Sequence, residues 1–184
     1  MNPWHARLSR LAHACDAISE HTGRAISWLT LAMVLLTFAV VVLRYAFNLG
    51  WIALQESVTY LHALVFMLGA AYTLKRGGHV RVDIFYQRWG PRARAWVNLL
   101  GTLLLLFPVC GFLLWISWEY VAASWALREG SRESGGLPGV YLLKTAIPVM
   151  AALMMIQGLS HAIHSALVLA GQEGGGDRRP ETEV

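Results

Sequence analysis

Residues 25–47, AISWLTLAMVLLTFAVVVLRYAF, carry no charge before Arg44. An apolar run of this length suits a helix that crosses a bilayer, whose hydrocarbon core takes roughly 17–25 residues of helix. Hydrocarbon offers no partner for an unpaired backbone amide or carbonyl, so the run must be helical. Reading outward, three more runs meet the same criterion, at about residues 58–74, 96–118 and 145–170. The second is short unless its lead-in, Trp51 to Ser57, is partly helical. The fourth holds only His161 and His164 as ionisable groups. The expected fold class is therefore all-α: a polytopic membrane protein whose 25–170 region is a four-helix transmembrane domain.

Composition supports this reading. Of 184 residues 56% are hydrophobic and only 14% charged, against about 25% charged in soluble domains. The net charge of +4 does not indicate nucleic acid, because the basic residues flank apolar runs, where they act as orientation signals. Cys15 and Cys110 fall in different environments and form neither a disulfide framework nor a metal site. No cleavable signal peptide is expected, since about two dozen residues of mixed polarity precede an apolar run long enough to span.

The distribution of Lys and Arg sets the expected orientation. Eleven lie in the N-terminal segment, the second loop and the tail, against four on the other side. The positive-inside rule then places both termini in the cytoplasm. Trp28, Trp51, Trp96, Trp115 and Trp118 sit near the span ends, where amphipathic rings favour the headgroup region.

The segments outside the spans have their own patterns. Within residues 1–24, Trp4, Leu8, Leu11, Cys15 and Ile18 recur at helical spacing, opposite Arg10, His13, Asp16, Glu20 and Arg24. This predicts an N-terminal amphipathic helix along the membrane lipid surface or against a partner helix, ending near Gly23. Gly77-Gly78 is a breaker after the second span. Val82, Phe85, Tyr86 and Trp89 predict a short interfacial helix, and residues 171–184 read as a disordered cytoplasmic tail. There is no internal repeat of the kind from which many transporters are built.

The chain offers little chemistry of its own. No Asp, Glu, Lys or Arg lies in the middle of a span, where a self-sufficient transporter places its coupling residue. No catalytic constellation, metal site or cofactor site is expected. His62 on the second span and His161 on the fourth lie at different depths, so one haem would not reach both. His161 and His164 lack a third ligand for zinc. Glu56 opens the second span and has three readings: a pair with Arg44, a contact to a partner subunit, or a solvated headgroup-level carboxylate. Pro108 predicts a mid-span kink and Pro148 a first-turn proline. Gly69-Ala70-Ala71 offers a small-residue patch for close helix contact, within the chain or outside it.

Several of these residues, in this order, resemble the small permease subunit of TRAP (tripartite ATP-independent periplasmic) transporters. The stretch runs from Glu56-Ser57 through Leu68-Gly69-Ala70-Ala71 and Lys75-Arg76-Gly77-Gly78 to His79-Val80-Arg81-Val82-Asp83. A second follows at Ser124-Trp125, Glu129-Gly130-Ser131, Pro138 and Lys144-Thr145-Ala146-Ile147-Pro148. The resemblance covers roughly residues 25 to 170. It implies a bacterial inner-membrane protein that is no enzyme and binds no cofactor. Its partners would be a large multi-helix permease subunit, holding the sodium and substrate sites, and a periplasmic binding protein delivering an organic acid. The chain would supply rigid scaffold, with Glu56, Leu68, Gly69, Ala70, Ala71, His79, Asp83 and Pro148 as interface or structural residues. One departure is the position a few residues after Glu56, where the family often has a cation and this chain offers only His62. The competing readings are a membrane anchor holding haem or quinone for a redox complex, and a small oligomeric exporter.

Overall fold

A computed structural model describes residues 3–79, 86 and 88–171. Among them every regular element is helical: α1 Pro3–Phe47, α2 Ile52–Lys75, α3 Pro91–Leu127 and α4 Val140–Leu169. All four are long and apolar enough to cross a membrane. The helices run past the expected spans at most ends, because hydropathy marks the part that suits lipid while the hydrogen-bond ladder continues into the polar flanks.

The first correction concerns α1. Gly23 does not end a helix: α1 is one continuous helix of 45 residues. Glycine costs a helix interior ~1 kcal/mol relative to alanine. Here it admits a neighbour, since a Cβ at Gly23 would overlap the Tyr72 ring and Cβ of α2. The polar side of the N-terminal segment divides: Arg10, His13 and Arg24 are exposed, whereas Asp16 and Glu20 are half-buried. Ala12, Cys15 and Ser19 are buried, while Trp4, Leu8, Leu11 and Ile18 are exposed. The segment thus turns its two carboxylates and its small residues, Cys15 of the apolar stripe among them, towards the bundle, and its large apolar side chains outward.

Pro148 is not a first-turn proline. It lies in the interior of α4, so its missing N–H leaves the Lys144 carbonyl without its usual intrahelical donor. Pro108 follows a π-helical turn, Thr102–Leu106, in which the Phe107 N–H bonds to the Thr102 carbonyl five residues back. The wider turn accommodates the proline inside α3.

Helix α4 is the hub, packing against α1, α2 and α3. Its buried residues are mostly small: Ala146, Ala151, Gly158, Ser160, Ala162 and Ser165. Large side chains point outward, among them Phe38, Phe66, Leu104, Leu105 and Trp115. This inversion of the soluble pattern follows from the solvent. Lipid is as apolar as leucine, so helices associate through close backbone approach rather than apolar burial. At Gly158 an added Cβ would overlap Leu106 and approach Phe107 of α3.

The breaker after α2 forms a Schellman cap. Gly77 takes φ 66°, its N–H bonds to the Leu74 carbonyl at 3.1 Å and that of Gly78 to the Thr73 carbonyl at 2.9 Å. The proposed interfacial helix at Val82 and Phe85, and the tail beyond Gly171, lie outside the described residues.

Candidate functional site

Two polar clusters occupy the two ends of the bundle. One end, here the basic end, gathers the start of α1, the end of α2 and the end of α4. Asp16 Oδ1 accepts hydrogen bonds from Gln157 Nε2 at 3.0 Å and Ser160 Oγ at 2.6 Å. Its Oδ2 lies 3.4 Å from His164 Nε2, and the His164 ring meets His13 edge-on with centroids 6.1 Å apart. One turn further, Glu20 accepts from Lys75 Nζ at 2.8 Å and Arg76 Nη2 at 3.0 Å. Lys75 also donates to the Asp16 backbone carbonyl at 3.0 Å, and Arg76 lies over the Tyr72 ring. Each carboxylate thus ties α1 to another helix, Glu20 to α2 and Asp16 to α4.

At the far end the loop 128–139 folds back on the bundle. Glu56, one turn into α2, accepts from Ser131 Oγ and, at 2.7 Å, from the Leu137 N–H. Gly136 leaves room for this contact, since a Cβ there would overlap Ser131 and crowd Glu56. Glu129 accepts from Lys144 Nζ and, at 2.7 Å, from Ser124 Oγ. Lys144 stands 4.0 Å from the Tyr120 ring centroid, and Trp125 Nε1 donates to Thr145 Oγ1 at 2.8 Å. The loop therefore joins α2, α3 and α4.

Hydrogen bonds from Lys144 and then Ser124 hold the Glu129 carboxyl below the usual carboxylate range. A carboxyl lowered in the folded state stabilises it above the unfolded pKa, and that stabilisation is lost as pH falls through the lower folded value. The expected result is a far-end loop equally resistant to proteolysis at pH 7 and pH 5. It loosens only below the ordinary glutamate value of ~4.3. Cleavage rates across this pH series, with a protease active in acid, check it.

The structure distributes the sequence-predicted residues as follows. Glu56 pairs with the loop rather than with Arg44. Leu68, Gly69, Ala70 and Ala71 lie within α2; Ala71 is buried and Gly69 faces Ile26 of α1. His79 Nε2 folds back to 3.3 Å from the Ala70 carbonyl oxygen. Asp83 lies outside the described residues. Pro148 sits inside α4, away from either cluster's hydrogen bonds. Sequence reasoning missed Asp16 and Glu20, which read as the solvated side of an amphipathic helix. A signal was present in α4, where Gln157, Ser160 and His164 share one face at helical spacing.

Breaking the Glu56 contact leaves the Leu137 amide and the Ser131 hydroxyl without their acceptor. Glu56→Ala is therefore expected to loosen the loop and lower the stability of the bundle. Glu56→Gln keeps one acceptor oxygen and loses less. Unfolding in mild detergent and protease nicking of the 128–139 loop check both variants.

Comparison with known proteins assigns the fold to a family. The family model described as "Tripartite ATP-independent periplasmic transporters, DctQ component" matches residues 33–167. That range includes Glu56, Glu129 and Lys144 and leaves out Asp16 and Glu20. The chain is 33% identical over 113 residues to the C4-dicarboxylate TRAP transporter small permease protein DctQ of Vibrio cholerae serotype O1. The alignment covers 61% of this chain and 47% of the relative, so the chain spans about half the length of the curated relative it matches. No solved structure matches. With four apolar helices and a match over most of its length, the chain belongs to the DctQ component family of the tripartite ATP-independent periplasmic transporters.

Proposed function

We propose that the chain is the structural partner of a large permease subunit in a bacterial inner membrane. There it supports sodium-driven uptake of an organic acid handed over by a periplasmic binding protein. The observation that carries this reading is how the bundle uses its charge. Asp16, Glu20, Glu56 and Glu129 each accept hydrogen bonds from neighbouring elements of the same chain. Carboxylates committed in this way serve rigidity rather than coupling, which in membrane transporters uses ionisable groups lining the substrate or ion path. Sodium and substrate sites then belong to the larger subunit.

The orientation proposed for this role puts the basic end in the cytoplasm, by the excess of Lys and Arg there. The far-end loop then faces the periplasm, where a binding protein would approach. The printed name of the relative makes a four-carbon dicarboxylate the first substrate to try. Membership of a transporter family removes the ground for a haem- or quinone-holding anchor.

Reconstitution tests the proposal. The large subunit, the binding protein and this chain are placed in liposomes under an inward sodium gradient, and labelled dicarboxylate uptake is followed. Uptake that needs this chain supports the scaffold role. Uptake at the same rate without it contradicts that role.

A further inference from the structure

On α2, Gln55, Thr59, His62 and Phe66 are exposed while the residues between them are half-buried. Positions four, seven and eleven apart share one helix face, so these four make a single outward stripe. His62 lies ~15 Å from the Ile52 end and ~20 Å from the Lys75 end, within the hydrocarbon depth.

Lipid is a poor cover for this stripe. Other exposed hydroxyls along the spans return their proton to their own helix: Thr37 to the Met33 carbonyl at 2.7 Å, Thr59 to the Gln55 carbonyl at 3.4 Å. The charged pair Lys144 and Glu129 is likewise mutually satisfied. His62 makes no hydrogen bond, ion pair or ring contact among the described residues. A neutral imidazole carries one N–H donor and one acceptor nitrogen in either tautomer. Leaving both unpaired against acyl chains carries the desolvation cost of an unsatisfied polar group. Intramembrane histidines accordingly face a protein partner or a polar cavity. A second copy about a two-fold axis would set His62 against His62 and satisfy one nitrogen of each ring at most.

We infer that the Gln55–Thr59–His62–Phe66 stripe seats a transmembrane helix of the large permease subunit, which presents a hydrogen-bonding side chain level with His62. This rests on the small-permease reading above. Phe66, 74% exposed one turn away, supplies the apolar contact beside that hydrogen bond.

Site-specific photo-crosslinking in membranes that hold the complete transporter tests it. p-Benzoylphenylalanine replaces His62 or Phe66, and, as a control, Leu104 on the exposed face of α3. The expected result is an adduct with the large subunit from positions 62 and 66 and none from 104. Adducts with lipid or with a second copy only, while the large subunit still co-purifies, overturn the inference and leave the small-permease reading standing. If the large subunit does not co-purify with the unmodified chain, both fail. As a second measure, His62→Leu is expected to lower recovery of the large subunit several-fold while His62→Gln retains most of it. Equal recovery from both variants counts against the hydrogen bond.

Discussion

Asp16→Leu unfolds at markedly lower denaturant or temperature than the native chain, and its α1 comes loose from the end of α4. Three groups lose their acceptor at once: Gln157 Nε2, Ser160 Oγ and His164 Nε2. Gln157 and Ser160 are 1% and 0% exposed, so water cannot replace the lost bonds without opening the helix contact. At ~1–3 kcal/mol for each buried group left unpaired, the loss is expected to reach ~2–4 kcal/mol. Asp16→Asn keeps an oxygen for Gln157 and Ser160 but not the charge opposite His164, so it falls between. The check is unfolding in detergent followed by limited proteolysis, with new cleavage in residues 3–19 of the leucine variant. Unchanged stability of Asp16→Leu would show that the contact between α1 and α4 does not depend on this carboxylate.

The other large effect is steric. Gly23→Leu drives a side chain into the ring and Cβ of Tyr72. The Cβ is held by the α2 backbone, so rotating the ring does not relieve the overlap, and the two helices must separate. Overpacking of this kind costs ~1–3 kcal/mol. Separation here also strains the contacts of Glu20 with Lys75 and Arg76 one turn away. The variant is therefore expected at the upper end of that range. Pairing it with Tyr72→Ala gives a direct control: removing the ring relieves the closest overlap though not that with the Cβ, so part of the stability should return, while a Gly23 effect exerted through helix propensity alone would not be rescued.

These two positions also show what the sequence can and cannot convey. The four spans are legible because lipid imposes a composition on any helix that crosses it, and the runs of α1 to α4 satisfy it without interruption. Helix ends are less legible, since Gln55 and Glu56 in the one flank and Glu119 in the other interrupt the apolar runs without interrupting the helical hydrogen bonds. Gly23 misleads for a related reason: a glycine marks a helix end or a close neighbour equally well, and only Tyr72, far along the chain, decides between them. Asp16 and Glu20 misread because amphipathicity shows that two faces differ, not which face meets protein. In water the polar face is outward, whereas beside lipid-facing helices single carboxylates of that face turn inward where partners such as Gln157, Ser160 and Lys75 stand at the right height. Glu56 is legible as the acidic opening of α2, but its partners, Ser131 and Leu137, belong to a loop whose folding no periodicity describes.

A scaffold that works only beside a larger membrane subunit must stay bound to it through gentle extraction. The tagged chain, expressed with the genes that flank it and extracted in gentle detergent, is expected to bring down a much larger polytopic membrane protein in fixed stoichiometry. Recovery of the chain alone, or with a soluble flavin- or iron–sulfur-containing protein, would contradict the scaffold role.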